Sequence, residues 1–346
     1  VRDADERRQE SLDMRSTIPP EIPVVDLGPV APGDEAAARD VAAAVDRACR
    51  DLGFIVVVGH GVAQEVIDAA HRTSRAFFDL DLAVRERYQA PPGGFVGYRG
   101  LGAEGLSYSL DRDAAPDLKE AYTVGRIERG DEPYFTSELG RMYMPDPLWP
   151  AEVPGFAESW TAFYRAMDRL SWRLMRLFAV ALDLPVDFFD DKIDRNISCV
   201  RALNYPDLSA PPLPGQLRAG AHTDYGSLTL LSMDDAPGGL EVQRRDGSWA
   251  PVHVPRDAFV MNVGDLMAQW TNDRWNSSMH RVAAPPPDAS GSTRRQSVVF
   301  FHQPNYDAEV VPLPSCSGPD RPPRYAPTTS GEHLFMKMTK AKNINV

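Results

Sequence analysis

The chain has 346 residues, room for one large domain or two, and its 43% hydrophobic content suffices for a substantial core. A net charge of −12 and an isoelectric point near 5.1 argue against a nucleic-acid or anionic-membrane partner, since neither attracts an acidic surface. The three cysteines, Cys49, Cys199 and Cys316, are odd in number and widely spaced, which speaks against a disulfide or zinc framework and for the reduced thiols of a cytoplasmic protein.

Residues 1 to about 20 are polar and charged, end in Pro19-Pro20, and read as a mobile tail with no signal-peptide character. Nowhere does an apolar run approach a membrane span. Ile22 to Leu27 is expected to open the fold as an edge strand, where Pro23 is tolerated. From Asp34 the spacing turns helical: Val41, Ala44, Val45, Ala48 and Leu52 recur at three and four residues, Asp34 can cap the start, and Gly53 stops the helix. Phe54 to Val58 reads as a buried strand ending at Gly59-His60-Gly61, and a second helix is expected over 63–79. Residues 91–150 are rich in glycine, proline and aromatics with little periodicity, which predicts a long functional loop or lid. A long helix follows, with the stripe Trp160, Phe163, Tyr164, Met167, Leu170, Leu174, Leu177, Phe178 and Ala181, and it is expected to pack on a sheet.

Beyond residue 195 the pattern changes to short strands at Val200–Tyr205, Ser227–Ser232, Leu240–Gln243, Phe259–Val263 and Ser297–His302, set apart by Gly, Pro and Asp turns. That arrangement predicts an α+β, mainly β fold: a double-stranded β-helix (jelly-roll, cupin-like) core with an N-terminal helical region packed on it. The expected division is a tail over 1–20, a helical and loop region over 21–194, a jelly-roll core over 195–305 and a C-terminal extension over 306–346.

The chemistry sits in that core. His222 and Asp224 are two apart, so on an extended strand both side chains face one way while Thr223 points away. A bare His-x-Asp recurs by chance; here it has company. His280 lies 56 residues after Asp224 (280 − 224), enough chain for about four strands to return to the barrel mouth. Two imidazoles and one carboxylate make the facial triad of non-haem Fe(II) oxygenases, which leaves positions open for a cosubstrate and O2. Arg295 and Ser297 share a face of the next strand, and a guanidinium beside a hydroxyl is a carboxylate receptor suited to a chelating keto acid.

With these residues in view, the chain resembles the isopenicillin N synthase-like branch of the Fe(II)- and 2-oxoglutarate-dependent oxygenases. The likeness runs from about residue 21 to 335 and rests on ordered motifs. Among them are Gly53-Phe54 through Gly59-His60-Gly61-Val62, Gly97-Tyr98-Arg99, Asp117-Leu118-Lys119-Glu120, Asn204-Tyr205-Pro206, His222-Thr223-Asp224-Tyr225-Gly226-Ser227, Asn262-Val263-Gly264-Asp265 and His280-Arg281-Val282. The resemblance implies iron held by His222, Asp224 and His280, and the distal carboxylate of 2-oxoglutarate received by Arg295 and Ser297, with Asn204 and Tyr205 nearby. It implies a small-molecule substrate whose C–H bond is oxidised with O2 and 2-oxoglutarate, by hydroxylation, desaturation or ring closure. The founding member needs no 2-oxoglutarate and carries arginine where Asn204 stands, which favours a 2-oxoglutarate user here.

Phe95, Tyr98 and Arg99 are expected to form a substrate lid. Arg201 shares a strand with Asn204 and Tyr205 and can reach an acidic substrate, although a framework ion pair is the stronger reading. His60 reads as a structural turn residue, His71 and His253 as solvated or locally satisfied, His302 as core, His333 as tail, and Asp234-Asp235 as a solvated turn. Two other enzyme readings stand beside this one: an oxidase independent of 2-oxoglutarate, and a metal-dependent hydrolase or isomerase on a cupin-type barrel.

Overall fold

In the computed structural model of the chain, residues 22–30, 34–106, 115–208, 212–286 and 288–341 are described. The expected tail over 1–20 lies outside them. Twelve strands of the described residues build two facing sheets. They are β1 (Val24–Asp26), β2 (Phe54–Val58), β3 (Gly97–Arg99), β4 (Glu120–Val124), β5 (Cys199–Tyr205), β6 (Ala219–His222), β7 (Leu228–Met233), β8 (Leu240–Gln243), β9 (Trp249–Pro251), β10 (Phe259–Val263), β11 (His280–Val282) and β12 (Arg295–His302). The larger sheet runs β1-β2-β10-β7-β12-β5-β4-β3 and the smaller β6-β11-β8-β9. Neighbours are antiparallel except β1 with β2, whose outer strand β1 is the expected edge. The jelly-roll expectation holds.

Three helices cover one face of the larger sheet: α1 (Glu35–Asp51), α2 (Gln64–Phe78) and α3 (Phe156–Ala181). Asp34 caps α1 by accepting from the Ala37 amide at 3.0 Å, a contact of the kind that contributes about 1 kcal/mol. Every member of the α3 stripe is buried, and the helix packs along α1 and α2. Strand alternation divides the chemistry. On β12, Val298 and Phe300 enter the helix-side core, while Arg295, Ser297, Val299 and Phe301 line a cavity between the sheets. β5 does the same, with Val200 and Ala202 in that core and Cys199, Arg201, Leu203 and Tyr205 on the cavity.

Residues 91–150 are not one long loop. β3 and β4 extend the larger sheet there, pairing Tyr98 with Tyr122 and Glu120 with Asn204, and short helices span Pro133–Thr136 and Glu138–Tyr143. Strands of three to five residues carry too few repeats for periodicity to register. The C-terminal stretch also holds structure: Glu309–Val310 pairs with Thr328–Thr329, and a helix spans Ser330–Ala341. Among the described residues, no helix is long and apolar enough to cross a membrane.

Candidate active site

The site is built where the smaller sheet meets a tight pair of loops. β6 and β11 pair in a register that sets His222 directly opposite His280, and their ring centroids lie 4.3 Å apart. β6 stops at His222, so Asp224 lies just past the strand, not on it. What aims its carboxylate is backbone. The Asp265 amide donates to Asp224 O at 2.8 Å, Gly264 N to Ser227 O at 3.0 Å, and Leu266 N to Gly226 O at 3.0 Å. This approach needs glycine: a Cβ on Gly264 would sit 2.2 Å from Gly226 O, and one on Gly226 would sit 2.2 Å from His302 O. Asn262, on the cavity face of β10, then donates from Nδ2 to Asp224 Oδ2 at 2.6 Å, which leaves Oδ1 turned to the histidines.

Asp224 Oδ1 is 3.9 Å from His222 Nε2 and 3.6 Å from His280 Nε2. All three donor atoms lie within 4.8 Å of one another. Both Asp224 distances are shorter than twice a metal–ligand bond of about 2.1 Å, so one ion can touch each pair. The imidazoles are prepared for it. His222 Nδ1 meets Gly220 O at 2.7 Å and His280 Nδ1 meets Ser278 O at 3.1 Å; a carbonyl only accepts, so each Nδ1 carries a proton, and in the neutral ring this places the lone pair on Nε2, facing Asp224. Burial, and then the neighbouring His280, push the His222 pKa well down, keeping it in the neutral form a metal requires.

Arg295 and Ser297 face the same cavity from the larger sheet. Both are buried, at 2% and 1% exposure. The Arg295 guanidinium lies 5.2 Å from the Tyr205 ring centre, and its Nη2 reaches Met233 Sδ at 2.7 Å. Arg295 Nη1 and Ser297 Oγ are buried without a hydrogen-bond partner. Two orphaned donors side by side are costly in a folded protein and fit an anionic ligand.

Tyr205 lines the cavity, but Asn204, its expected companion, does not. The amide of Asn204 donates to Glu120 Oε1 at 2.8 Å and its carbonyl accepts from Arg294 at 3.0 Å, on the opposite face of β5. Adjacent strand residues point apart. Of the expected lid, Phe95 lines the cavity. Tyr98 is 2% exposed, packs on Phe77 in the helix-side core and donates to Glu120; Arg99 turns to Glu104, 3.4 Å away, and to the Gly94 carbonyl. Neither lines the cavity. Arg201 does, while also pairing with Glu104.

His253 is exposed, as the solvated reading expects; His60, His71, His302 and His333 are structural. His60 joins the Val62 amide to the Asp257 carbonyl. Of the two readings for His71, the satisfied one holds: it contacts Ser232 Oγ at 2.9 Å and Gln296 at 3.2 Å between helix and sheet. His302 is fully buried against Ser227. His333 is not tail but part of the C-terminal helix, buried 3.6 Å from Asp265. Asp234 is tied to Arg75 and the Gln296 amide. The residue pattern missed several wall residues, including Lys119, Tyr225, Leu334 and Met338. Only the four-residue spacing of the last two hinted at a shared helix face.

Two family models match the chain: the non-haem dioxygenase N-terminal region described for morphine synthesis over residues 22–152, and the 2OG-Fe(II) oxygenase superfamily over 197–304. Validamycin A dioxygenase of Streptomyces hygroscopicus subsp. limoneus is 32% identical over 84% of this chain and 79% of its own length. The chain belongs to the 2-oxoglutarate/Fe(II) oxygenases. Another relative, the 2-oxoglutarate-dependent dioxygenase citB of Monascus ruber, is 34% identical over 84% of this chain and 87% of its own. Among solved structures, a full-length Neurospora crassa protein in complex with alpha-KG superposes with a TM-score of 0.80 at 29% identity, covering 92% of this chain and 95% of that one. This oxygenase accordingly uses Fe(II), 2-oxoglutarate and O2 to oxidise a C–H bond of a small molecule. The hydrolase and isomerase readings fall away.

Proposed function

We propose that His222, Asp224 and His280 hold the ferrous ion, that Arg295 and Ser297 receive the distal carboxylate of 2-oxoglutarate beside Tyr205, and that the substrate is a free small molecule rather than a nucleic acid. One observation carries the assignment. Two imidazole nitrogens and one carboxylate oxygen converge on a cavity whose opposite wall holds two unpartnered buried donors, Arg295 Nη1 and Ser297 Oγ. Ferrous iron and the keto acid together supply the oxidising power, by activating O2 for attack on a C–H bond.

The chain's own residues do the rest. Asn262 fixes which carboxylate oxygen of Asp224 faces the ion, and the Gly220 and Ser278 carbonyls hold the imidazole tautomers. Arg295 sets the direction in which the diacid lies, and as a planar fork it specifies a carboxylate better than a lysine would. Leu203, Leu231, Leu240 and Val282 surround the site with hydrocarbon and exclude water. The acidic surface, at a net charge of −12, supports the free small molecule over a polyanion.

Anaerobic titration with Fe(II) and 2-oxoglutarate tests this reading. A weak visible charge-transfer band should develop with the wild-type protein and be absent in His222→Ala. A band that survives in the variant removes His222 from the site.

A further inference from the structure

The same cavity has a second charged end. Arg201 lies on its wall four residues from Tyr205, about 13 Å along β5 from the rung that Tyr205 shares with Arg295. One Nη of Arg201 donates to Glu104, while its Nε is buried without a partner. That is the same condition found at Arg295 and Ser297.

Counting charge sharpens the point. Glu104 has three cations around it: Arg201 in contact, Arg99 at 3.4 Å and Lys119 at 3.9 Å. Lys119 also pairs with Asp117, whose other contacts are the Leu106 and Gly220 amides. Burial pushes the Glu104 carboxyl up, but Arg201 and Lys119, helped by Arg99, bring it down to about 2, so it is ionised. Among the described residues, three cations against two carboxylates leave one positive charge unmatched. Of the groups that line the cavity at the metal end, Asp224 and Arg295 would balance a divalent ion and the keto diacid. Arg201 and Glu104 are about one-fifth exposed, so the surplus is partly screened yet still costly, and it lies on the wall of the cavity. Around it the wall is hydrocarbon, from Phe95, Ile197, Val299, Phe301, Leu334 and Met338.

We infer that the substrate is a monocarboxylic acid with a hydrocarbon body, its carboxylate received at Arg201 and the carbon to be oxidised lying on the side toward His222. This rests on the assignment of Arg295 and Ser297 to 2-oxoglutarate. A cation would add to the surplus, a phosphate monoester would overshoot it, and a neutral molecule would leave it unmatched.

The test is calorimetric titration, under nitrogen, of the Fe(II)- and 2-oxoglutarate-loaded protein with matched probes. The probes are 3-phenylpropanoate, cyclohexaneacetate and octanoate, each set against its primary amide. At least one acid should bind, about tenfold or more tighter than its amide, as a charge-assisted contact requires. Arg201→Gln should erase the preference and Arg201→Lys retain part of it. Glu104→Gln, which adds to the positive surplus, should tighten the acids several-fold and leave the amides alone. If Arg201→Gln fails to fold, the other two variants carry the test. Equal binding of acids and amides, binding by none of the acids, a folded Arg201→Gln that keeps the preference, or a Glu104→Gln that does not tighten the acids overturns the inference. Titration of 2-oxoglutarate into each Fe(II)-loaded protein before any probe is added separates the two readings. Wild-type protein that does not take 2-oxoglutarate sinks the Arg295 assignment; normal 2-oxoglutarate binding without acid preference sinks only this one.

Discussion

His302 and His71 are both held neutral in the folded protein, and each ties stability to pH. Burial, then the charge of Arg126, lowers the His302 pKa to about 3; burial, then Arg75, lowers that of His71 to about 4. The unfolded chain protonates near 6.5, so its proton uptake exceeds that of the folded protein below that pH. The stabilisation is complete above pH 6.5 and is lost as pH falls toward the folded values. His302→Gln should therefore make the pH dependence shallower than wild type by about 1.4 kcal/mol per pH unit between pH 6 and 4, read from urea unfolding. Parallel curves for the two proteins would refute the account. At this scale side-chain chemistry was enough to single out His222, Asp224 and His280, although a loop and not strand alternation aims Asp224, and two-residue spacing on β12 was enough for the Arg295/Ser297 pair. The sequence misled at Asn204, where the same spacing, applied strictly, turns the residue away from Tyr205.

The C-terminal helix (α4, Ser330–Ala341) shows what one element adds to the site. Leu334 and Met338 face the cavity, while His333 and Lys337 lie 3.6 and 2.8 Å from Asp265. Asp265 in turn accepts from Ser277 at 2.7 Å, and its amide donates to the Asp224 carbonyl. Burial pushes the Asp265 carboxyl up, yet His333, Lys337 and Ser277 hold it well below the usual carboxylate range. Asp265→Asn should cost about 1–3 kcal/mol, since it leaves the partly buried Lys337 without its counter-charge. Amide exchange should rise first in α4 and not in β5 or β12; a loss below about 0.5 kcal/mol would show the latch to be inert. Little of this was legible beforehand. β3, β6, β9 and β11 have three or four residues each, and the role of α4 depends on where a distant loop places Asp265. The longer α1, α2 and α3 declared themselves because their repeats ran for several turns.

For the whole molecule, the decisive arrangement is that the residues proposed to hold the metal and those proposed to receive the keto acid come from different sheets. His222 and His280 belong to the smaller sheet, Arg295 and Ser297 to the larger, so a bound pair joins the two. Fe(II) with 2-oxoglutarate, each near a hundred times its dissociation constant, should stabilise the protein by about 2.7 kcal/mol per independent site. Calorimetry should show the melting temperature rise by several degrees, and 2-oxoglutarate without metal should give much less. Equal shifts with and without metal would count against a shared site. The jelly roll and its two-sided strands were readable from the sequence; the cavity's far wall was not, since it is assembled from segments distant along the chain. That wall has a practical corollary. On β5 the odd-numbered positions 199, 201 and 203 look into the cavity, whereas Val200 and Ala202 anchor the framework behind it. A combinatorial library confined to those three odd positions would retool which molecules are admitted while leaving the scaffold's folding instructions untouched.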